Sequence, residues 1–267
     1  MEWGRTNALI DGIGWVFGIP SKIVLLDSRM DNHHISQDTM GQVSEYLHTN
    51  DLLEVKVRVN QYAPAREWSR LFRNRAVGAG WRYTLGVFSM LYYTLLPGRI
   101  LGGDNYNPYT DTMSLYSNIP AVGMHEGGHA KDFGQREWKG TYAFFYALPL
   151  VALYPEAVAT GDAVGYLRAE RGAADERAAY KILYPAYSTY VGGEFGQFTP
   201  VSSVVYLSAV VVGHVAGRCK AAGVADRPDP RAAAAGHSAG EPLPGPEPAP
   251  AATNAAPAAA VQPAPSP

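Results

Sequence analysis

Cysteine is almost absent: Cys219 stands alone in 267 residues, so no internal disulfide can staple the chain. No sign of charge dominates either. The 22 Lys and Arg against 24 Asp and Glu leave a formal net charge of −2, which gives no electrostatic footprint for nucleic acid. Residues 8–26 lack a basic leader and a small-residue cleavage site, and they carry Asp11, Pro20 and Lys22, so a signal peptide is not expected there. Aromatics vanish from about residue 222 onward, where Ala and Pro dominate; such a segment, 222–267, buries too little to offset its chain entropy and is expected to be disordered.

What remains is ordinary in bulk, with 47% hydrophobic residues, enough for one medium domain with extensions. The informative string is His125-Glu126-Gly127-Gly128-His129. On a helix, positions i and i+4 share a face, so both imidazoles reach one metal ion. Glu126 then sits beside that ion, where a carboxylate can take a proton from activated water. Pro120 suits the first turn of this helix, and Ser117 or Asn118 is expected to cap it. Val122, Met124, Ala130 and Phe133 are expected to bury its flanks. Two glycines inside a helix cost about 1 kcal/mol each relative to Ala. Either close approach at the metal or tight packing against another helix accounts for them.

Upstream, Gly102-Gly103-Asp104-Asn105 marks a turn, and Tyr106–Tyr116 reads as one extended segment in which Met113 and Leu115 alternate with Thr112, Ser114 and Tyr116. Pro108 restricts it to a sheet edge, which an extended peptide could pair with by strand addition.

A strand-like Asn107–Tyr116, a short link and then His125-Glu126-Gly127-Gly128-His129 resembles the zincin metallopeptidases. The gluzincin branch is nearest, including the membrane-associated HtpX-like and CAAX-prenyl-protease-like peptidases. The resemblance covers roughly residues 100–190, and its one specific motif is the His-Glu-x-x-His string. It implies an α+β zincin-like domain with a small mixed sheet, a bound Zn2+, hydrolysis of peptide or protein substrates, and a third ligand, a Glu, on a later helix. The metzincin variant is set aside, because Asp132 and Gln135 stand where its Gly and third His belong.

Two residues compete for the third ligand. Glu156 follows an apolar stretch, where a buried carboxylate needs a partner such as a metal. Glu176 lies among Glu170, Arg171, Asp175 and Arg177 and reads as a solvated face. Glu156 is preferred, with Glu176 as the alternative; Asp132 and Asp162 are expected to support the ligands from behind. An oxyanion donor is expected among Tyr166, Tyr184, Tyr187 and Tyr190, with no signal to choose among them.

Elsewhere, residues 22–60 read as α/β. Lys22–Asp27 is a short apolar run, Ser36–His48 has helical spacing, and Leu53–Asn60 alternates so that Val55, Val57 and Val59 face a core while Glu54, Lys56 and Arg58 face water. His33 and His34 read as a surface turn. Two apolar stretches, Tyr83–Pro97 and Thr141–Tyr154, are too short to cross a bilayer, whereas Pro200–Gly217 has about 18 residues without an acid, Lys or Arg. Gly192, Gly193 and Gly196 before it suit close helix packing. With Arg218 and Lys220 after it, the positive-inside rule places the tail in the cytoplasm and the catalytic domain across the membrane.

The expected organisation is an N-terminal apolar or interfacial segment (1–20), a zincin-like domain (21–195), a transmembrane helix (198–218) and a disordered tail (222–267). The expected function is that of a membrane-associated zinc metallopeptidase. The competing reading is a membrane-anchored scaffold with a structural or vestigial metal site; a zinc hydrolase of some other carbonyl substrate is a third.

Overall fold

A computed structural model describes residues 1–231. The chain runs β1 (Glu2–Trp3), α1 (Ala8–Phe17), α2 (Ile19–Leu25), α3 (Gln37–Thr49), β2 (Lys56–Val59) and α4 (Pro64–Arg73). Next come α5 (Ala79–Trp81), a π-helical turn (Arg82–Gly86), α6 (Val87–Leu95) and α7 (Gly98–Leu101). A hairpin of β3 (Asn105–Asn107) and β4 (Thr112–Leu115) precedes α8 (Pro120–Gly134), α9 (Lys139–Tyr146), α10 (Leu153–Glu170), α11 (Ala173–Gly196) and α12 (Ser202–Ala222). The architecture is therefore α+β, mostly helical, with one small mixed sheet.

The sheet order is β1-β2-β4-β3, with β1, β2 and β4 parallel and β3 antiparallel at the edge. Val57 and Val59 of β2 lie beside Met113 and Leu115 of β4 and face the main core, as their alternation predicts. The other face is not wet. Arg58 is only 1% exposed, because Glu67 of α4 and Glu2 of β1 take its guanidinium at 2.6 and 2.5 Å. Residues 1–20 are likewise no separate segment: β1 completes the sheet, and Asp11 of α1 pairs with Arg99 at 2.7 Å.

Several local expectations are corrected. Tyr106–Tyr116 is a hairpin rather than one strand. The Asn107 side chain accepts the Tyr109 N–H at 3.0 Å and Asp111 adopts a left-handed φ of 53°, which turns the chain at Pro108. Of the apolar run 22–27, residues 22–25 belong to helix α2, which ends at Leu26 in a left-handed conformation. His34 is exposed, but His33 is buried with Nδ1 3.0 Å from Asn60 Oδ1. Ser36 caps α3 through the Thr39 N–H, as helical spacing suggested.

α11 and α12 form an antiparallel hairpin. A Cβ on Gly192 would stand 2.7 Å from Tyr206 Cα, and one on Gly217 would stand 2.4 Å from the Tyr180 carbonyl oxygen, so these glycines set the backbone separation. Gly193 faces open space. Among the described residues α12 is the one helix long and apolar enough to cross a membrane by itself, and Val204, Leu207, Val211, Val212 and Val215 point outward from it. The bent pair α1 and α2, at 46°, passes the same test together. α12 does not leave the domain, however. Ala221 lies in the main core, and His214 Nε2 is 2.9 Å from the Val24 carbonyl oxygen. Residues 222–231 stay attached too: Val224 packs on that core and Arg227 pairs with Glu176 at 2.6 Å. The segment after α12 thus packs against the domain. The rest of the expected tail, 232–267, lies outside the described residues.

Candidate metal centre

The motif helix α8 is buried on nearly every side, from Ala121 through Phe133. Neither expected cap serves it. Ser117 accepts the Asp31 N–H at 2.9 Å, and Asn118 accepts from Ser36 N and Thr39 Oγ1 at 2.9 and 2.6 Å, so both are committed to neighbouring loops. Ile119 holds the N-cap position, and Pro120 opens the helix.

The glycines of α8 are explained by packing. A Cβ on Gly127 would meet Tyr46 of α3 at 2.4 Å, and one on Gly128 would meet the Ala159 backbone of α10 at 2.9 Å. The second contact matters for chemistry, since Ala159 is three residues from Glu156 on the same helix. Gly128→Val is therefore expected to push α10 away, lowering both the melting temperature and the metal content of the purified protein. Unchanged metal content in that variant would show that the approach of α10 is not what places Glu156.

Glu156 sits in the first turn of α10 with 1% exposure, and the positive end of the helix dipole favours its charge. Its Oε2 lies 3.1 Å from His125 Nε2 and its Oε1 lies 3.4 Å from His129 Nε2, while the two imidazole nitrogens stand 3.1 Å apart. Ligand atoms around a tetrahedral zinc, at about 2.0–2.1 Å from it, are separated by roughly 3.3 Å. One ligand atom from each residue lies within 4.8 Å of the others, close enough for the three to hold a metal ion. All three residues are buried, and they are the one such group among the described residues.

Supporting contacts differ from those expected. The hydroxyl of Thr160 lies 3.3 Å from His125 Nδ1, and that of Tyr146 donates to Glu156 Oε1. Asp132 instead accepts from Tyr142 at 2.5 Å and from Arg136, which holds α9 against α8; His129 Nδ1 has no partner among the described residues. Asp162 accepts from Tyr46 and Lys131, tying α10 to α3 and α8. Glu176 is far from solvated, at 3% exposure, but Arg168 and Arg227 neutralise it at 2.8 and 2.6 Å, well apart from the histidines.

Electrostatics separate the two carboxylates. Burial pushes the Glu126 carboxyl up to about 8 in the metal-free protein. Burial also works against ionisation of Glu156, yet hydrogen bonds from His125 and His129 outweigh it and hold that group well below the usual carboxylate range. Burial lowers the His125 pKa, whereas at His129 the neighbouring Glu156 overcomes burial and raises it.

A cavity of about 190 Å³ opens onto this cluster, with Glu126, His129, Glu156, Tyr146 and Tyr190 in its wall. Asn105 and Tyr106 of the edge strand β3 form another part of that wall, and the Tyr106 backbone N–H faces the Glu126 carboxylate. Of the four tyrosines considered from the sequence, Tyr190 alone lines this cavity. Tyr166 is buried edge-on against Tyr46, and Tyr184 and Tyr187 line a different groove. Tyr146 and Thr160 were not foreseen; among 17 tyrosines and an unremarkable helical Thr, no pattern distinguishes them.

No protein-family model, curated protein or solved structure matches this chain. What the fold and site define is a class: an α+β protein with, among the described residues, one apolar helix of membrane-spanning length and a buried His-His-Glu cluster beside a second buried carboxylate, Glu126.

Proposed function

We propose that this chain is a membrane-associated zinc peptidase of the zincin type. The observation that carries the reading is the convergence of His125 Nε2 and His129 Nε2, 3.1 Å apart, on the Glu156 carboxylate, whose Oε2 and Oε1 lie 3.1 and 3.4 Å from them respectively, with Glu126 lining the same cavity. These three residues would hold the metal. When bound there, zinc supplies a Lewis acid and an acidified water.

The chain's own residues supply the remaining parts. Glu126 is placed to accept a proton from the attacking water and deliver it to the leaving amine. Tyr146 fixes the Glu156 carboxylate, and Tyr190, which lines the same cavity, is the tyrosine to serve a developing oxyanion. No described strand pairs with β3 on its outer side, so an extended substrate can lie along β3 with main-chain hydrogen bonds. α12 would seat the protein in a bilayer, and Arg218 and Lys220 favour a cytoplasmic position for its C-terminal end.

The test is metal content with activity on an unfolded protein substrate. About one zinc per chain, with hydrolysis abolished by a chelator and restored by added zinc, is the expected result. A protein that binds no zinc when supplied with it would leave the scaffold reading in its place.

A further inference from the structure

Beside the metal cluster, and separated from it by Thr160, whose hydroxyl lies 3.3 Å from His125 Nδ1, a groove of about 470 Å³ runs between α10 and α11. Its floor is Ala157, Gly161 and Gly165, and Tyr184 and Tyr187 form one wall. Arg168 and Lys220 close one end, where a second hollow of about 470 Å³ adds Arg227 and Glu176. This mouth therefore gathers three cations against one carboxylate. Lys220 belongs to the last turn of α12, so the mouth lies at the level where the apolar helix ends.

The glycines of the floor answer to no contact among the described residues. A Cβ on Gly161 or Gly165 would meet no atom within 4 Å, unlike one on Gly128 or Gly217. Glycine disfavours a helix interior, so both positions forgo helix stability without gaining an internal contact. Their effect is to keep the groove open. Its length is also informative. Ala157 to Arg168 is eleven residues, about 16 Å along a helix, which is about half the roughly 30 Å hydrocarbon thickness of a bilayer.

We propose that this groove holds an acyl chain of an anionic phospholipid, with the phosphate between Arg168 and Lys220 and the chain over Gly161. An apolar trough one leaflet deep, ending in clustered cations beside the end of a membrane helix, matches the two halves of such a lipid. The inference rests on the membrane seat of α12 but not on hydrolase chemistry, and its test needs no activity.

Full-length protein in detergent is titrated with phosphatidylglycerol or phosphatidylcholine, and bound lipid is counted by native mass spectrometry. The expected result is about one phosphatidylglycerol per chain, preferred over phosphatidylcholine by about tenfold. The double variant Gly161→Leu, Gly165→Leu projects into the trough from positions where a Cβ meets no atom within 4 Å; it should fold, with a lipid-free melting temperature at or above that of the wild type, and lose both lipids. Lys220→Gln should keep the chain site and lose most of the preference for the anionic headgroup. Equal binding of the two lipids by the wild type would overturn the proposal. So would undiminished phosphatidylglycerol binding in the filled variant, or glycerol phosphate competing as well as the intact lipid.

Discussion

Glu126→Gln is expected to lower peptide hydrolysis by about 1,000-fold, the scale of a lost general base, while zinc content stays at about one per chain. The separation of the two effects follows from the geometry. Glu126 lines the cavity but is not among the three residues whose ligand atoms converge. The substitution keeps the size of the side chain and its contact with the Tyr106 N–H, and removes only the capacity to accept a proton. Substrate turnover and metal analysis on the same preparation check it. Activity within tenfold of the wild type would remove Glu126 from the mechanism.

The second large effect distinguishes the two candidate third ligands. Glu156→Ala is expected to strip zinc from the protein, because two histidines and water remain where three protein ligands stood. Glu176→Ala is expected to keep its zinc and to lose stability by about 1–3 kcal/mol, the cost of removing one side of a buried polar cluster. Its partner Arg168 is already 61% exposed and can turn to water, which keeps the loss moderate. Zinc stoichiometry and thermal melts of both variants measure this. Full zinc content in Glu156→Ala would reassign the site.

The local parts of the site were legible because they depend on short spacing. Helical period alone brings His125 and His129 together, and an acid after an apolar stretch is a reasonable third partner. What spacing could not supply was long-range pairing. Arg58 reads as solvent-facing in an alternating strand, but Glu67 and Glu2 come from other elements to bury it. Glu176 reads as wet among charges, and Arg227, 51 positions later, encloses it. The capping residues were misjudged for the same reason: Ser117 and Asn118 have the right chemistry for α8 but are claimed by Asp31 and by the start of α3. The glycines of α8 were legible as an anomaly, and only the positions of Tyr46 and Ala159 resolved it in favour of packing.

The way α12 returns into the core has a consequence for biosynthesis. A ribosome delivers α8 and α10, with every metal-binding side chain, well before α12. Yet α11, which carries Tyr190, is braced along its length by α12, and the core closes only when Ala221 arrives. The nascent chain is thus expected to hold its ligands in an unfinished cleft until the last helix has entered the bilayer. On the proposed reading, insertion of α12 would then act as the step that completes the cleft.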